Sequence, residues 1–94
     1  MAEPSLAESR FNFLTTDLDL ANTFVQLAET ELGLRNREHC DALLGKAQIA
    51  VDTVRRLMDG APKMESDQRK ILTDRCDGAE SAIRRLEAKR SRKL

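Results

Sequence analysis

The stretch REHCDALL, residues 37–44, sets His39, Cys40 and Asp41 side by side. A thiol activated by an imidazole, with a carboxylate orienting the ring, is a nucleophilic arrangement. The same three side chains also bind metal ions. Either chemistry needs them to converge on one atom. On a helix, adjacent side chains diverge by about 100°, so convergence requires a break in the helix. The flanking residues argue against a break: Cys40, Leu43, Leu44, Ala47, Ala50, Val51, Val54 and Met58 form one apolar stripe at helical spacing. Cys40 lies near the middle of that stripe, His39 at its edge and Asp41 toward solvent. The spacing predicts a core cysteine. A reactive thiol is the alternative, because Cys40 follows the Asn36 cap by about one turn, where the helix dipole lowers the pKa of an exposed thiol.

Other catalytic constellations are missing. The chain has one histidine and two cysteines, with no C-x-x-C or H-E-x-x-H spacing, so no metal or other cofactor is expected. If helices 2 and 3 pair antiparallel around residues 60–63, Cys40 and Cys76 are eight residues out of register, about 12 Å along a helix. That separation is too long for a disulfide. Asp17 with Asp19, and Glu29 with Glu31, are i,i+2 pairs that point to different sides of a helix, which does not suit paired-carboxylate catalysis. Without a nucleophile elbow or phosphate loop, the chain is expected not to be an enzyme.

The elements that position these residues are helical. The 94 residues are 40% hydrophobic, 34% charged and 3% aromatic, a composition that favours helices over strands. Gly33 ends one periodic run, and Asn36 offers an N-cap for the next. DGAPK, residues 59–63, closes the second run, and Ser66 offers a cap for the third. Helices are predicted over 16–33, 36–59 and 66–90. The first has two possible starts: Ser5 with Glu8 forms a capping box, and Thr16 with Asp17 offers a later cap. The N-terminal segment 1–15 is therefore either an earlier part of helix 1 or a separate short helix. Short connections make neighbouring helices antiparallel, and the expectation is an all-α, up-down-up three-helix bundle over 16–90 with a basic tail, 91–94.

The opening MAEPSLAESR has neither a basic n-region nor an apolar run, and no stretch approaches the roughly 20 apolar residues of a membrane span. A cytoplasmic protein without a membrane partner is expected, with both cysteines as free thiols.

Helix 1 is more apolar than a one-sided helix requires. Its main stripe is Phe11, Leu14, Leu18, Ala21, Val25, Ala28 and Leu32. Phe13, Leu20 and Leu27 form a second row at seven-residue intervals, with Phe24 between the row and the stripe. Either helix 1 is a two-sided bundle helix, or these four residues contact a protein partner or a second copy of the chain. Helix 3 repeats the single stripe with Leu72, Cys76, Ala79, Ile83 and Leu86, and its Glu80 sits i,i+4 from Arg84.

Charge is polarised along the chain: residues 1–34 carry −5, residues 35–61 +1 and residues 62–94 +4, for a net charge of zero. The basic end gathers Arg84, Arg85, Lys89, Arg90, Arg92 and Lys93. These are either cations facing a helix C-terminus and a solvated tail, or an electrostatic contact with nucleic acid or an acidic protein. A neutral domain with no Trp or Tyr for base stacking makes nucleic acid the poorer of those partners.

The hairpin from Thr23 to Asp52 resembles a single tetratricopeptide-type unit. Phe24, then Leu27 and Ala28, match the bulky and large-small positions of that family's first helix; Cys40, Leu44 and Ala47 match the second. Glu31 stands where the family prefers an aromatic and Asp52 where it prefers proline. The resemblance covers about a third of the chain and implies a protein-binding scaffold. The opening RFNFLTTDLDLANTFVQLAETE is similar to small bacterial helical proteins of unassigned function. Together these readings predict a helical protein-interaction or assembly module, with a nucleic-acid-associated protein acting through the basic end as the alternative.

Overall fold

The computed structural model describes residues 6–60 and 64–91. Three helices run in chain order: α1 (Leu6–Gly33), α2 (Arg37–Asp59) and α3 (Ser66–Ser91). They form an all-α bundle in which each helix packs on the other two. Leu14, Leu18 and Ala21 of α1 share a core cluster with Val51, Val54 and Met58 of α2 and Leu72, Cys76 and Ala79 of α3. The opposite end joins Val25 and Ala28 to Cys40, Leu43, Leu44 and Ala47, and to Ile83 and Leu86. Sequence order therefore reverses between α1 and α2 and again between α2 and α3, which is the up-down-up topology.

The period-3.6 stripes become this core. Every stripe residue of α3 is buried, as is every one of α2 except half-buried Ala50. Phe11 and Leu32, at the two ends of the α1 stripe, are half-buried against it. No buried polar or charged residue interrupts it among the described residues.

α1 is one continuous helix from Leu6, so residues 6–15 belong to it and Thr16 is not its cap. The hydroxyl of Thr16 donates to the carbonyl of Asn12 at 2.9 Å, as does that of Thr15. Thr23 and Thr30 bond back to Asp19 and Gln26 in the same way. Each threonine satisfies its hydroxyl on the preceding turn and leaves the helix intact. Ser5, the earlier candidate cap, lies outside the described residues.

The link from α1 to α2 is short and fully hydrogen-bonded. Asn36 N–H donates to Glu31 O at 2.9 Å and Arg35 N–H to Leu32 O at 3.0 Å, the paired bonds of a Schellman motif. Arg35 holds the left-handed position of that motif, at φ 63°, although Gly33 is only two residues earlier. Gly33 is instead the last helical residue. Asn36 then caps α2, its side chain accepting from His39 N–H at 3.4 Å. At the start of α3, Arg69 N–H bonds to Glu65 O at 2.9 Å, so Ser66 is the first helical residue and Glu65 takes the capping position.

Candidate interaction surface

His39, Cys40 and Asp41 go to three different places. His39 Nδ1 lies 3.3 Å from Glu31 Oε1 on α1. Asp41 Oδ1 lies 2.6 Å from Arg90 Nε on α3, an ion pair whose geometry falls outside that of a hydrogen bond. Cys40 is fully buried between the helices. Burial pushes its thiol above the usual value, reinforced by the nearby Asp41 carboxylate. Cys76 is also fully buried and shifted upward, again through burial first. The two free cysteines belong to opposite core clusters. The thiol that would be activated at an exposed helix start is instead desolvated.

α3 is fastened by polar contacts on the sides that face its neighbours. Arg75 pairs with Asp19 of α1. Arg55 of α2 donates to Asp77 and Glu80, and Gln48 donates to Glu80 at 3.2 Å. Glu80 thus accepts its hydrogen bonds across the α2–α3 seam, while Arg84 on its own helix acts on it through charge alone. This arrangement leaves the opposite side of the α1–α2 pair uncovered by α3.

That uncovered side carries the second apolar row of α1. Phe13 is 56% exposed, and Leu20 and Leu27 are each 47% exposed, so the row is not internal core. Leu57 (41%) and Ile49 (66%) of α2 extend it. Phe13 and Leu57 line one end of the α1–α2 groove, flanked by Arg10 and Arg56. Leu20 and Ile49 line its middle, above Ala50 and Thr53. Nearer the α1–α2 connection, Glu31 of α1 pairs with His39 of α2. Phe24 differs from the rest of the expected contact set. It is half-buried against the core cluster, with Lys46 Nζ 5.9 Å above its ring, so it forms the floor of the groove and not its rim.

The sequence pattern marks the α1 half of this face and not the α2 half. Ile49 and Leu57 lie off the clean α2 stripe, and only the i, i+4, i+8 run Ile49–Thr53–Leu57 marks them.

The basic residues of α3 spread around the helix: at about 100° per residue Arg84 and Lys89 fall roughly 140° apart, whereas Arg85 and Lys89 lie within about 40° of each other. Arg84, Arg85 and Lys89 are exposed, but Arg90 is half-buried and held by Asp41. Arg92 and Lys93 lie outside the described residues. No group of three or more His, Cys, Asp or Glu side chains is placed to hold a metal ion among the described residues. Among them, too, no helix is long and apolar enough to cross a membrane.

Comparison with family models, curated proteins and solved structures gives no match. Of the residues that carry the tetratricopeptide-type resemblance, Ala28, Cys40, Leu44 and Ala47 are buried at the helix contacts, Phe24 is half-buried and Leu27 is exposed.

Proposed function

We propose that this chain is a helical protein-interaction or assembly module without catalytic activity, and that it binds through the α1–α2 face. One observation carries the reading: five large apolar side chains from two helices are exposed together on the side that α3 leaves open. Exposed apolar side chains gathered on one side of a small domain mark a contact site, because their burial against a partner is favourable. A scaffold role also agrees with what the tetratricopeptide-type resemblance implies. At the basic end of α3 Arg85 and Lys89 share a side, Arg84 points elsewhere, and Arg90 is already paired with Asp41.

The test compares two variants in a binding assay against extracts of the source cell. Leu20→Glu removes the bound partner and leaves the circular dichroism spectrum unchanged, while Arg84→Glu retains the partner. Loss of binding in Arg84→Glu alone would move the function to the basic end of α3.

A further inference from the structure

The α1–α2 face has a centre and two unlike ends. Phe13, Leu20 and Leu27 are evenly spaced, with Leu20 seven residues from each of the others. Beyond Phe13 stand two bases, Arg10 and Arg56, both exposed and lining that end of the groove. Beyond Leu27 stand two acids: Glu31, which pairs with His39 of α2, and exposed Glu38, in the first turn of α2. Among the described residues Arg10, Arg56 and Glu38 make no ion pair within the chain. The two ends thus differ in sign, and between them Asp17 and Lys46 line the middle of the face beside Leu20 and Ile49, one charge of each sign.

Such a face complements itself when turned end over end. We propose that its occupant is a second copy of this chain, packed antiparallel across a twofold axis at Leu20; this rests on the reading of the α1–α2 face as the contact surface. In that arrangement Leu20 meets Leu20 of the second copy, and Phe13 meets its Leu27. The Arg10 and Arg56 end then lies toward the Glu31 and Glu38 end. A parallel arrangement sets like charges together at both ends, which is unfavourable. A face used twice in one contact is also the isologous geometry of the commonest homo-oligomers.

The size of the face agrees. From Arg10 to Glu31, α1 runs about 31 Å at 1.5 Å per residue. Two helices packed side by side about 9 Å apart present a width of about 20 Å. Each copy then contributes about 600 Å², or about 1,200 Å² in total, which reaches the lower bound for specific interfaces. A dimer of this area, with a single apolar row at its centre, is held mainly by that row.

The test is light scattering of the full chain together with thiol cross-linking by a short bismaleimide. The wild-type protein is expected at about twice its 10.6 kDa chain mass, and Leu20→Glu as a folded monomer whose self-association is at least about tenfold weaker. Leu20→Cys is expected to cross-link to itself. Phe13→Cys mixed with Leu27→Cys is expected to cross-link as a pair, whereas Phe13→Cys alone does not, because two antiparallel copies hold those positions about 21 Å or more apart. Cys40 and Cys76 are fully buried, so the reagent reports the introduced thiols. A wild-type monomer at millimolar concentration overturns the second copy and leaves the contact face open to a different protein. A dimer that survives Leu20→Glu overturns both the inference and the face. Self-linking of Phe13→Cys overturns the antiparallel arrangement alone.

Discussion

Arg55 on α2 donates a hydrogen bond to Glu80 on α3, and the carboxylate also accepts from Gln48 at 3.2 Å. Glu80 is largely buried in this seam, its side chain 18% exposed. Burial by itself pushes its carboxyl upward. The hydrogen bonds from Arg55 and Gln48 and the Arg55 charge outweigh that, and the group lies below the usual glutamate value. A carboxylate with a depressed native pKa stabilises the fold above its unfolded value and loses that contribution as pH falls through the native value. Glu80→Gln is therefore expected to lower stability by about 1–2 kcal/mol at pH 7. The difference from wild type shrinks below about pH 4.3 and disappears in stronger acid. Urea unfolding of both proteins across pH 2–7 measures it. A difference that persists at the lowest pH would show that shape and not charge is what matters at this position.

Cys40 and Cys76 are expected to resist thiol reagents in the native state and to react at once in denaturant, because both are fully buried with their thiols shifted upward. Cys40→Ser places a hydroxyl among apolar partners and is expected to cost about 1–3 kcal/mol. Rapid labelling of Cys40 in the folded protein would instead indicate an accessible, activated thiol.

Arg35 spends its conformational freedom on a left-handed backbone that glycine adopts at little cost. Arg35→Gly is expected to raise stability by about 1 kcal/mol. Gly45, inside α2, faces open space: a Cβ added there meets nothing within 4 Å. Gly45→Ala is expected to add about 0.5–1 kcal/mol. Thermal melting of each single variant and of the double variant checks both values. The two sites lie in separate elements, so their effects should add.

The three helices and their buried faces are legible in the sequence because a period of 3.6 residues allows each stripe only one core-facing arrangement. The divergence of His39, Cys40 and Asp41 follows from the same geometry. The start of α1 is not legible, since both Ser5 and Thr16 are acceptable caps. In the structure the helix continues through Thr16, whose hydroxyl bonds back to Asn12, a local arrangement that leaves no trace in the hydrophobic pattern. The left-handed Arg35 is hidden for a related reason: Gly33 is the expected terminator, but the Schellman bonds to Glu31 and Leu32 close two residues later. The contact face is half legible. Its α1 row has a regular seven-residue spacing, whereas Ile49 and Leu57 join it only through the register of α2 against α1.

Leu18 and Leu20 separate the core from the contact face within two residues of the same helix. Leu18 is fully buried and Leu20 is 47% exposed. Leu18→Glu puts a charge into the core and is expected to leave the chain unfolded, because an unpaired buried charge costs more than a small domain's total margin. Leu20→Glu puts the same charge at the rim of the groove and is expected to keep full helical content. Its effect appears in the dependence of melting on concentration. If the native state is assembled through this face, the wild-type melting temperature rises with protein concentration, since association draws on the folded state alone. Leu20→Glu then melts at one temperature over a hundredfold range of concentration, close to the wild-type value at the dilute limit. Circular dichroism melting of the three proteins at several concentrations distinguishes these behaviours. A Leu20→Glu protein that melts far below dilute wild type would place Leu20 in the core of the single chain and remove the argument for a contact face.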